Sequence, residues 1–69
     1  MEVTKATFNL PNDDIAELRR LAEANHTTVT AMLRQAIATQ AYINKEIENG
    51  SKLLVEKPNG QIRELVPQW

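Results

Sequence analysis

The chain contains no cysteine, which excludes a disulfide framework and any thiolate metal site, so its order must come from apolar packing or from a partner. A single imidazole, His26, makes a zinc site unexpected as well. No Gly-rich phosphate loop is present, and the only two glycines, Gly50 and Gly60, sit where a helix cap and a turn are expected. There is no secretory hydrophobic segment and no apolar run long enough to cross a bilayer, so the expected location is cytoplasmic, with no membrane partner. Basic excess is missing too. The net charge of −1 runs against a general affinity for nucleic acid, and only its distribution leaves room for one. Between Ala24 and Asn44 there is no acid and Arg34 is present, whereas acids collect at Asp13, Asp14 and beyond Lys45.

Length sets a further limit. A chain of 69 residues is one domain, and folding alone it would bury only about 60% of its unfolded surface. A dimer would relieve that shortage. Two short helices leave little room for a catalytic pocket of about 300 Å³ or more. The one tight carboxylate pair, Asp13 with Asp14, occupies adjacent helix positions that do not face each other. They read as helix-start residues, and neither an enzyme nor a cofactor is expected.

What the chain does have is an isolated strand pattern. Lys5-Ala6-Thr7-Phe8-Asn9-Leu10-Pro11 alternates strictly, with Ala6, Phe8 and Leu10 on one face and Lys5, Thr7 and Asn9 on the other. A single strand leaves its backbone donors and acceptors unpaired, so it must find another strand elsewhere in this chain or on a second copy. Taken alone, such a segment is simply a half-solvated strand. If a second copy supplies the partner, two-fold symmetry brings the two polar faces together, and a two-stranded ribbon of that kind fits the major groove of DNA.

Helical patterns follow at once. Asn12 is expected as the N-cap of a helix over about residues 12 to 25, with Asp13 and Asp14 in the dipole-favoured first turn. Its apolar stripe is Ile15, Leu18, Leu21 and Ala22, while Glu17, Arg19, Arg20 and Glu23 face water. Asn25-His26 is the expected left-handed turn. A second start at Thr28 opens a longer helix whose pattern of Val29, Met32, Leu33, Ala36, Ile37, Ala41, Ile43 and Ile47 runs to Gly50, a C-terminal cap. Beyond Gly50 the period becomes alternating. Lys52 to Glu56 and Gln61 to Val66 flank Lys57-Pro58-Asn59-Gly60, which predicts a β-hairpin with Leu53 opposite Leu65 and Val55 opposite Arg63.

The segments Lys5 to Pro11, Ile15 to Ala22 and Thr28 to Ile37, in unbroken register over the first two-thirds of the chain, resemble the ribbon-helix-helix regulators, the Arc, MetJ and CopG group. That resemblance implies a mainly α fold with short β: an intertwined homodimer with a two-stranded antiparallel intermolecular ribbon. Residues 1–50 would be the DNA-binding and dimerisation core, and 51–69 a C-terminal β-hairpin extension of the same domain. Carried over by position, Lys5, Thr7 and Asn9 would contact bases, and Thr28, Val29 and Thr30 would hold a phosphate. The family often has Gly where this chain has His26. The implied function is a sequence-specific transcriptional regulator, a repressor, whose ribbon enters the major groove of an inverted-repeat operator in double-stranded DNA. It would act as a homodimer or as a higher-order assembly on DNA.

Other readings stay open at this point. Thr28 and Thr30 could be only a helix cap and its neighbour. The hairpin could cap the dimer, which is the expectation, or pair with the N-terminal strand, or bind a protein partner. In the last case the chain would be an interaction module such as the antitoxin of a toxin–antitoxin pair. A monomer with a three-stranded sheet is the remaining alternative.

Overall fold

The computed structural model describes residues 2–66. Two helices, α1 (Asn12–Ala24) and α2 (Val29–Glu48), precede two strands, β1 (Leu53–Glu56) and β2 (Ile62–Leu65). Met1–Arg34 and Gln35–Trp69 are two compact units, and α2 runs through the boundary between them.

In the first unit, residues 2–11 adopt neither helix nor strand in the single chain. Helix α1 starts one residue earlier than a cap at Asn12 requires, because Pro11 is the N-cap and Asn12 is already helical. The expected Asn12 side-chain cap is therefore corrected: the Pro11 carbonyl accepts from the amides of Asp14 at 3.0 Å and Ile15 at 3.2 Å. Proline has no N–H to satisfy, so it suits a position where the chain enters a helix from extended backbone, here with ψ 148. On the solvent face Arg20 pairs with Glu17 one turn earlier. The opposite face packs Ile15 and Leu18, half-buried, and Ala22, which is buried.

The helix ends as expected, at a left-handed residue. His26 has φ 53, and two bonds close the last turn, from the Thr27 amide to the Ala22 carbonyl at 2.9 Å and from the His26 amide to the Glu23 carbonyl at 3.1 Å. Asn25 adds a side-chain bond, its Nδ2 donating to the Leu21 carbonyl at 2.7 Å. Two residues later Thr28 starts α2: its Oγ1 accepts from the Ala31 amide at 3.1 Å. Met32, on the next turn, is the other buried side chain, and Ala31 is half-buried.

In the second unit α2 closes by the same device. Gly50 has φ 88, with its amide bonded to the Ile47 carbonyl at 3.0 Å and the Ser51 amide to the Glu46 carbonyl at 2.9 Å. Here the left-handed conformation costs nothing sterically, because glycine has no Cβ. Strands β1 and β2 pair antiparallel in the register expected from the sequence, Leu53 opposite Leu65 and Val55 opposite Arg63. The loop Pro58-Asn59-Gly60 is held by the Lys57 amide on the Gln61 carbonyl at 2.7 Å and the Gly60 amide on the Lys57 carbonyl at 2.8 Å. Gly60 takes φ 87, and Asn59 Oδ1 accepts from the Gln61 amide at 3.0 Å, so each turn residue serves the role its chemistry suggests. Leu53 and Leu65, with Ile47 of α2, line a recess of about 230 Å³.

The sheet has two strands, β1 and β2, which corrects the three-stranded alternative. A short turn joins these strands, whereas recruiting residues 5–11 would require closing a far longer loop.

Only Ala22 and Met32 are buried hydrophobics among the described residues, while Phe8 (70%), Ile37 (62%) and Leu54 (62%) are largely exposed. The chain presents 6529 Å² to solvent.

Candidate nucleic-acid interface

The three residues expected to read bases lie on the irregular N-terminal segment. Lys5, Thr7 and Asn9 are all exposed, and none has a hydrogen-bond or ion-pair partner among the described residues. Phe8 lies between Thr7 and Asn9 and Leu10 follows Asn9, and both are exposed too, at 70% and 46%. An apolar side chain left in water on a segment whose backbone is also unpaired is a surface that gains from being covered. The polar and apolar positions thus share one feature, exposure to solvent among the described residues.

The expected phosphate site is a regular helix start. Thr28, Val29 and Thr30 are exposed and lead into α2. Helix geometry gives the first-turn amides no carbonyl inside the helix. Thr28 Oγ1 satisfies that of Ala31, and the Thr28 carbonyl accepts from Met32 at 2.9 Å, so the amides of Val29 and Thr30 stay directed out of the helix end. No acid lies in this first turn. The dipole there favours an anion.

Beside this helix start the structure places a residue that the sequence did not single out as a contact. Arg34 and Thr30, one helical turn apart, border a recess of about 410 Å³ together with Glu2, Val3 and Thr4. Thr30 is therefore brought next to the beginning of the N-terminal segment. The signal in the sequence was Arg34's isolation as the one charge in an acid-free stretch, four residues after Thr30. Elsewhere in this unit Arg20 is engaged. The hydrogen bond from Arg20, opposed by slight desolvation and aided by its charge, holds the Glu17 carboxyl below the usual carboxylate range. Arg20 is raised in turn, first by that hydrogen bond. This pair lies on α1, outside the recess.

Among the described residues no helix is long and apolar enough to cross a membrane, and no group of three or more His, Cys, Asp or Glu is placed to hold a metal ion. Comparison of the chain with protein-family models, with characterised proteins and with solved structures finds no match.

Proposed function

We propose that the protein is a homodimeric, sequence-specific DNA-binding regulator, a transcriptional repressor of the ribbon-helix-helix kind acting in the cytoplasm. One observation carries this reading. The segment that alternates Lys5, Thr7 and Asn9 with Ala6, Phe8 and Leu10 is exposed and unpaired in the single chain, beside a helix pair that buries only Ala22 and Met32. A second copy of the same segment supplies what is missing. Antiparallel pairing of the two would satisfy the backbone, turn Phe8 and Leu10 inward, and leave six polar side chains on one surface.

On that surface Asn9 can bond an adenine edge through both its side-chain atoms, Lys5 can donate to guanine acceptors or to phosphate, and Thr7 can meet a base or a thymine methyl. The free amides of Val29 and Thr30, with the Thr28 cap, suit a backbone phosphate that fixes the ribbon's depth and orientation.

The test is selection of a preferred duplex from a random library, followed by comparison of variants on that site and on random DNA at one salt concentration. Asn9→Ala should cost about 1–3 kcal/mol per contacted base on the selected site and much less on random duplex. A substitution at Thr28 should weaken both about equally. Should a folded Asn9→Ala protein keep its full preference, the N-terminal segment is not the reading surface.

A further inference from the structure

We infer that the open edge of β1 is a self-association surface whose occupant is β1 of a second copy, paired antiparallel about a two-fold axis at Leu54. Both strands of the hairpin are edge strands, and each exposes a row of backbone groups that a further strand could pair. The phase of those groups follows from the loop. The Lys57 amide bonds to the Gln61 carbonyl, so by the alternation of an antiparallel ladder Leu53, Val55 and Lys57 turn their backbone groups toward β2. Lys52, Leu54 and Glu56 turn theirs to the open edge.

Symmetry then restricts the register. Residues directly opposite in an antiparallel pair lie on the same face, so a two-fold pairing must be centred on a residue and not between two. Centred on Leu54, it sets Leu54 against Leu54 of the second copy, Leu53 against Val55, and Lys52 against Glu56. Three apolar pairs are thus flanked on each side by opposite charges. A centre at Val55 would put Lys52 opposite Pro58, which has no N–H to give, and Leu54 opposite Glu56. A centre at Leu53 would set Lys52 opposite Leu54 and Glu56 opposite Gly50.

The edge of β2 fails the same test. Centring on Arg63 or on Glu64 puts that charge directly against itself, which destabilises a cross-strand pair, while centring on Ile62 sets Glu64 opposite Gly60 and centring on Leu65 sets it opposite Val66, so neither brings opposite charges together. Charge complementarity therefore selects β1. Lys52 already lies on the required face, since its Nζ stands 3.7 Å from Glu64 Oε1, and Glu64 is the cross-strand partner of Leu54. On that face Leu54 and Ile62 are 62% and 58% exposed, so pairing also covers apolar surface. The inference uses only the hairpin and stands or falls independently of DNA binding.

Two measurements on the full chain decide it. In the unaltered protein the Leu54 and Glu56 amides, which face solvent in the lone hairpin, should exchange with deuterium as slowly as that of Val55. Fast exchange at Leu54 beside a protected Val55 would overturn the pairing. Since the chain has no cysteine, Leu54→Cys introduces a single thiol, and hydrogen-bonded antiparallel pairs hold their Cα atoms about 5.5 Å apart. A short thiol cross-linker should then join two chains of the Leu54→Cys protein, with Glu64→Cys giving little product. Equal or greater product from Glu64→Cys would contradict the choice of edge. Lys52→Glu should cause loss of the cross-link in the Leu54→Cys background, and adding Glu56→Lys should restore it; failure of the double exchange to restore it would rule out the register.

Discussion

His26 shows how a single residue can satisfy a helix end at a steric cost. It occupies φ 53, where the Cβ of an L-residue approaches the following carbonyl, and only the two bonds from its own amide and that of Thr27 hold it there. Left-handed backbone costs a residue with a side chain about 1–2 kcal/mol, part of which glycine's larger unfolded-state entropy cancels. His26→Gly should therefore stabilise the protein by about 1 kcal/mol in urea denaturation; a destabilised variant would mean the imidazole makes a contact in the assembled protein. Glu17 yields a prediction with a sign. Its carboxyl is held below the usual range by Arg20, so the pair's contribution is present above the unfolded carboxylate value and is lost as pH falls through the lower folded one. The stability gap between the parent and Glu17→Gln should close on acidification through that window, and a gap that widened instead would show Glu17 uncoupled from Arg20. Full exposure keeps the effect small.

At the scale of elements, Phe8 offers the sharpest contrast. In the single chain it is 70% exposed, so Phe8→Ala should then change stability by no more than about 0.5 kcal/mol. If a second copy covers it, the same change should cost about 3–5 kcal/mol, the range for a buried aromatic. Thermal denaturation of the two proteins at equal concentration separates these outcomes, and the proposed ribbon requires the larger one. Helix α2 shows a related division. Met32 is buried, with Asn25 Nδ2 3.8 Å from its Sδ, while Val29, Leu33 and Ile37, which follow one another at four-residue steps, remain 41%, 39% and 62% exposed. One apolar stripe thus has a covered side and an uncovered side.

Considered as a whole, the molecule leaves Phe8, Ile37 and Leu54 largely exposed, apolar surface of the kind that association covers. Folding coupled to association makes stability depend on concentration. The midpoint of thermal unfolding should rise as the protein is concentrated, and sedimentation at micromolar concentration should show a particle of at least twice 7.8 kDa. A stable monomer with a concentration-independent midpoint would refute the homodimer. Deleting residues 51–69 should lower stability or assembly while leaving sequence preference on DNA unchanged, since the proposed base readers, Lys5, Thr7 and Asn9, lie outside that segment.

Sequence alone was sufficient for features whose causes lie within a few residues of one another. A threonine before an apolar period, glycine after Asn49 and the Pro58-Asn59-Gly60 loop each satisfy backbone groups a few residues away, two acids after Pro11 suit the dipole of a helix start, and the helices and hairpin register follow from them. Even there Asn12 was assigned the cap that Pro11 holds, because a carbonyl can open a helix without any side chain. Tertiary structure decided what a one-dimensional pattern does not contain: which residue of α2 is buried, how little of the apolar stripe is covered, and the placing of Arg34 and Thr30 beside residues 2–4. Periodicity says that a side chain is apolar or polar and which face it shares. What stands opposite that face depends on where the chain turns back, and among the described residues Phe8 and Leu10 stay 70% and 46% exposed.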